Sequence, residues 1–149
     1  MDVEIEGRIV VPRSPEEVAP TLGQIQTLAS CVPGMQEIRA SDGETFEGEM
    51  TLELPFARLP SKVDGRLTEQ RPDHMKFEVR GRPLALAGTF RADVELRWDP
   101  DEEGTLIRYR LYVSLQGRLA SLGEAMVRAT SKAKSQEFEQ ALAALLAAS

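Results

Sequence analysis

Few side chains in this chain could carry covalent or acid–base chemistry. There is one histidine, His74, one cysteine, Cys31, and two tyrosines. His74 follows Arg71-Pro72-Asp73, a turn sequence. A general base or metal ligand there would need partners at suitable spacing, and none is visible, so a solvated turn is expected. Cys31 stands just before Pro33-Gly34, with no neighbouring cation or histidine to lower its pKa. It reads as a buried small hydrophobe. Tyr109 is the one clear polar group that strand parity sends inward. A lone inward tyrosine is ordinarily a core residue with its hydroxyl at the rim. Arg80-Gly81-Arg82 reads as a solvated loop, or as a contact for an acidic partner or a ligand head group.

The rest of the inward set is apolar. A cavity lined by Phe46, Met50, Leu52, Val63, Leu67, Phe77, Leu86, Phe90, Val94, Tyr109, Leu111, Leu119, Leu122 and Met126 is expected. Such a lining suits a greasy ligand and lacks the convergent acid, base or oxyanion donors that an enzyme needs. Methionines at 50, 75 and 126 add adaptability. The bland reading is that these side chains only pack against one another.

Composition limits the alternatives. The chain has 149 residues, a net charge of −6, 42% hydrophobic and 28% charged residues. That is one soluble domain, residues 1–149, with enough chain for a core. A nucleic-acid binder needs a basic field, which is missing, and acidic lipid surfaces are disfavoured for the same reason. No metal or cofactor is expected. No apolar run approaches a membrane span. The acidic start Met1-Asp2-Val3-Glu4 does not resemble a secretory signal, and a lone cysteine suits a reducing compartment, so a cytoplasmic location is expected.

The elements that must position the lining follow from hydrophobic period. Residues 3–11 alternate as a half-buried strand. Ser14-Pro15-Glu16-Glu17 opens a short helix with a capping box, and residues 24–30 form a second that stops at Pro33-Gly34. Strands are then expected at 36–40, 45–54, 61–70, 75–80, 86–98 and 107–115, with an Asp42-Gly43 hairpin, a connection over 55–60 and a solvated turn over 99–104. Outward glutamates such as Glu4, Glu6, Glu47, Glu49 and Glu53 form a solvated face or an acidic docking surface. Gly48, Gly65 and Gly88 fall on the apolar face, where they permit bending or leave room for a ligand or a close helix. Residues 118–149 read as one long amphipathic helix. The sum is an α+β, helix-grip architecture. A curved seven-stranded antiparallel sheet wraps the long C-terminal helix, and two short helices follow the first strand.

With these residues in hand, the chain resembles the START-like superfamily, which includes polyketide cyclases and birch-allergen-type lipid binders. Within it, the closest resemblance is to the G-subunit family of carbon monoxide dehydrogenase. The matching stretches are Leu28-Ala29-Ser30-Cys31-Val32-Pro33-Gly34, Phe46-Glu47-Gly48, Lys62-Val63-Asp64-Gly65-Arg66-Leu67, Ala87-Gly88-Thr89-Phe90-Arg91-Ala92 and Gly117-Arg118-Leu119-Ala120-Ser121-Leu122-Gly123. The resemblance implies a non-catalytic accessory protein for a molybdenum hydroxylase such as carbon monoxide dehydrogenase. Its role would be assembly, membrane recruitment, or delivery of a lipid or quinone-like molecule. A pure assembly or docking factor with a filled core, and a polyketide cyclase-like enzyme, are the alternatives. Met35 stands where a second small residue or cysteine is common in the family. The chain ends at Ser149 without the hydrophobic tail of longer members, so membrane contact is expected to be peripheral at most.

Overall fold

The computed structural model describes residues 1–40 and 43–148. Alternating sequences build β1 (Asp2–Val11), β2 (Met35–Ala40), β3 (Thr45–Leu54), β4 (Ala57–Arg71), β5 (His74–Pro83), β6 (Gly88–Asp101) and β7 (Gly104–Gly117). They form one antiparallel sheet in the order β1-β7-β6-β5-β4-β3-β2. Between β1 and β2 lie α1 (Pro15–Leu22) and α2 (Ile25–Ser30). The capping box at α1 is present: Glu17 N–H donates to Ser14 Oγ at 3.3 Å and Ser14 N–H donates to Glu17 Oε1 at 3.1 Å. A 3₁₀ turn (Arg118–Leu122) and α3 (Glu124–Ala148) close the chain. The sheet curls so that α3 lies along β1, where Arg128 donates to Glu4 O at 3.4 Å and Arg13 to Ala147 O at 3.2 Å. Lys134 reaches Glu53 of β3 at 3.4 Å. This is the expected helix-grip arrangement.

The structure corrects several boundaries. The 55–60 connection is mostly strand, because β3 and β4 meet in a tight hairpin and Leu54 pairs with Ala57. Pro60 lies inside β4, and its carbonyl accepts from Leu84 N at 3.0 Å. The donor that Pro60 lacks would face that same side, just past the β5 ladder, so the β3 ladder loses nothing. Arg80-Gly81-Arg82 is not a loop. It lies within β5, paired to Lys62–Asp64 of β4. The solvated turn shrinks because β6 runs on to Asp101 and β7 starts at Gly104. Leu86 falls before β6, in the connection that follows Pro83. The long helix is broken: Gly123, at φ +92°, separates the 3₁₀ turn from the 25-residue α3. That conformation is open to glycine and not helical. Asp42, of the expected Asp42-Gly43 turn, lies outside the described residues.

Candidate functional site

Register sorts the inner face of the sheet into rows that run across the strands. One row is Met75, Leu96 and Tyr109, and the next outward is Trp98, Ile107 and Ile9. All six are buried. Val18, Leu22, Ile25 and Leu28 of α1 and α2 and Leu142 and Leu146 of α3 are buried with them in one apolar core. The neighbouring row is Leu67, Phe77, Val94, Leu111 and Ile5. Here only Phe77 is buried, and the other four are half-buried. Beyond it comes Phe46, Gly65, Val79, Ala92, Val113 and Val3, in which Ala92 and Val113 are again half-buried. Val94, Leu111, Ala92 and Val113 stand mid-sheet, on its inner face. Apolar side chains in such a place are normally closed off at native packing density.

The expected lining therefore divides. Phe46, Val63, Phe77, Phe90, Tyr109 and Leu119 are buried. Met50, Leu52, Leu67, Leu86, Val94, Leu111, Leu122 and Met126 are half-buried. Met50 and Leu52 sit near the β3–β4 hairpin, with Leu59 paired to Leu52. Leu86 neighbours the 3₁₀ turn, since Arg118 N–H donates to Ala87 O at 3.1 Å. Leu111 and Met126, among the described residues, stand outside both the buried core and the side chains packed against it. Ile5 and Ala92 belong to these rows and are not in the expected lining. Strand alternation sends both inward, and the pairing register places them in these rows.

Glycines do not make the space in the way expected. The ring of Phe46 lies over Gly65, the ring of Phe90 over Gly81 and the ring of Tyr109 over Gly7, each pair facing across neighbouring strands. A Cβ on any of these glycines would collide with the ring. Such aromatic–glycine pairs fill the pleat. Gly48 is approached by the β2 backbone, with Gln36 O 3.2 Å from where its Cβ would be. Gly88, at φ +135°, faces the Gln116 carbonyl. Of the three methionines, Met75 is wholly buried, while Met50 and Met126 keep exposed surface.

The polar groups inside are few. Tyr109 packs edge-on against Phe138, with ring centroids 6.3 Å apart. Its hydroxyl faces Ser135 and Glu139 of α3, and burial pushes the phenol above its ordinary value. Arg66 and Glu69, which an acid–base pair with Tyr109 would need, lie on the outer face. Arg66 is 3.8 Å from Glu78, and Glu69 is 2.8 Å from Arg71. Cys31 is buried, its Sγ 3.7 Å from Thr27 O, and burial pushes its thiol up. His74 departs from expectation. It is 7% exposed, because it starts β5 on the outer face between Arg71 and Arg97 instead of standing in a turn. Among the described residues, no group of three or more metal-ligating side chains occurs.

A family model for CoxG, the G subunit of carbon monoxide dehydrogenase, matches residues 7–147. The fold is shared with a conserved protein from Geobacillus kaustophilus, at TM-score 0.82 and 18% identity over 97% of this chain and 95% of that one. It is also shared with a protein from Chromobacterium violaceum, at TM-score 0.65 and 20% identity over 97% of each chain. The Zhui aromatase/cyclase from a Streptomyces species is similar at TM-score 0.67 and 11% identity, over 98% of this chain and 94% of that one. At these identities the likeness shows the fold alone. No curated protein matches the chain.

Proposed function

The chain belongs to the CoxG family, the G subunits of carbon monoxide dehydrogenase, and on that premise we propose that it is a non-catalytic carrier of a hydrophobic small molecule. The ligand is lipid- or quinone-like, and the protein serves a carbon monoxide dehydrogenase or related molybdenum hydroxylase in the cytoplasm. One observation carries the reading: Val94, Leu111 and Ile5, on the neighbouring strands β6, β7 and β1, form a half-buried apolar run across the inner face of the sheet, and Leu67, beyond the buried Phe77, is half-buried as well. Left-over apolar surface in that position is what an apolar ligand would cover. Met50 and Met126, half-buried, can adapt to its shape. The separation of Arg66 and Glu69 from Tyr109 supports a binding role over a cyclase role. Exchange with a bilayer would be peripheral, and no helix among the described residues is long and apolar enough to cross one.

Native mass spectrometry of protein from its own host, followed by denaturation and lipid extraction, tests this reading. A near-stoichiometric apolar mass released on denaturation is expected. Protein that arrives empty, and takes up neither fatty acid nor decyl-quinone when offered, would contradict the carrier role and favour a docking factor with a filled core.

A further inference from the structure

The outer face carries a row of four arginines and one histidine at facing positions on neighbouring strands. Reading across the sheet, Arg8 of β1 faces Arg108 of β7, which faces Arg97 of β6, which faces His74 of β5, which faces Arg71 of β4. Like charges directly opposite on neighbouring strands are destabilising. The adjacent row shows the ordinary solution. Glu6, Arg110, Glu95, Lys76 and Glu69 alternate in sign, with Arg110 3.0 Å from Glu6 and Lys76 3.3 Å from Glu95. Within the first row, Arg8 and Arg108 are the poorly neutralised members. Among the described residues Arg8 makes no ion pair, and Arg108 reaches Asp99 only at 3.8 Å between two exposed side chains. Arg97 and Arg71 are held by Glu95 and Glu69 at 3.4 and 2.8 Å. Within the row, His74 is over nine-tenths buried. Its Nε2 lies 3.2 Å from Glu95 Oε2. A groove of 430 Å³ opens beside the row, its charged lining being Arg8, Arg97, Arg108 and Arg110 with Glu6 and Glu95, and its floor Gly7 and Tyr109.

We propose that this groove and its arginine row are a docking site for a short acidic segment of a partner protein. With strands ~4.8 Å apart, the five-residue row is about 19 Å long, the span of roughly six extended residues. Arginine offers carboxylates a planar, paired set of donors. A partner carboxylate would supply the counter-charge that Arg8 lacks and that Arg108 receives only at 3.8 Å. The occupant is a local acidic segment and not a nucleic acid or an anionic bilayer, because the chain as a whole carries a charge of −6 and repels an extended polyanion beyond the groove. The site is on the opposite face from the apolar rows and does not depend on the carrier reading.

The test titrates a labelled hexaglutamate peptide, matched to the row's length, into the full chain at low salt and follows fluorescence anisotropy. Saturable binding is expected, weakened about tenfold by the double variant Arg97→Gln/Arg108→Gln. The control Arg118→Gln/Lys132→Gln, which removes the same charge elsewhere, should change the affinity less than about twofold. The Arg97→Gln/Arg108→Gln protein should also melt no lower than the parent, since facing like charges are removed. Absence of saturable binding, equal weakening by both double variants, or a lowered melting temperature in the groove variant would overturn the proposal. So would equally effective competition by a single-stranded oligonucleotide of matched charge or by phosphatidylglycerol vesicles.

Discussion

Two neighbouring stretches of the inner face use the same residue types to different ends. Leu96, Ile107, Leu142 and Leu146 are wholly buried. One row away, Val94 and Leu111, on the same strands as Leu96 and Ile107, keep accessible surface. What separates them is cover. The packed rows share a core with α1, α2 and the C-terminal half of α3. Towards the other end, α3 begins only at Glu124, after the break at Gly123. Its first turns present Met126, half-buried, and only Val127 is buried there. Hydrophobicity alone does not say whether a side chain is core or lining. The element lying opposite decides.

Substitutions on the two sides should differ in size. Leu142→Ala removes a fully buried side chain from the packed side and should cost about 3 kcal/mol in urea unfolding. Leu111→Ala, at a half-buried side chain, should cost about 1 kcal/mol and, on the carrier reading, weaken uptake of an apolar probe. Equal costs would erase the distinction between the two sides. Gly65→Ala comes next, because the new methyl would collide with the Phe46 ring. A loss of about 2 kcal/mol is expected if the ring has nowhere to go. A loss below about 0.5 kcal/mol would mean that the Phe46 ring has room to move aside. The smallest effect concerns Tyr109, whose phenol burial raises above 10.0. A raised folded-state pKa gives stability that is complete below the unfolded value and is lost as pH rises through the folded one. Stability should therefore fall above about pH 10 more steeply in the parent than in Tyr109→Phe, with the two within about 1 kcal/mol at neutral pH. Parallel curves would remove Tyr109 from the packed side.

Much of this was legible from residue order. Alternation over residues 45–54 and the Ser14/Glu17 capping box are local signals, and both elements stand as read. Misreadings fell where local signals mislead. Pro60 and the Asp99-Pro100-Asp101 run look like breaks, yet the paired strand carries them through. The inward-facing apolar set was legible by parity, but its division into buried and half-buried was not. That division depends on which helix covers which row. The ring-over-glycine pairs and the arginine row are properties of register, which joins residues as distant as Arg8 and Arg108. His74 looked solvated because its cover, beside Arg71 and Arg97, is contributed by other strands.

The central claim, that an apolar ligand seats on the half-buried rows, can be tested directly by methyl NMR during titration with decyl-quinone. The methyls of Val94, Leu111, Val113 and Met126 should shift and saturate together, while those of Ile107, Leu142 and Leu146 stay in place. Shifts spread evenly over both sets, or none in the first set at saturating probe, would contradict it.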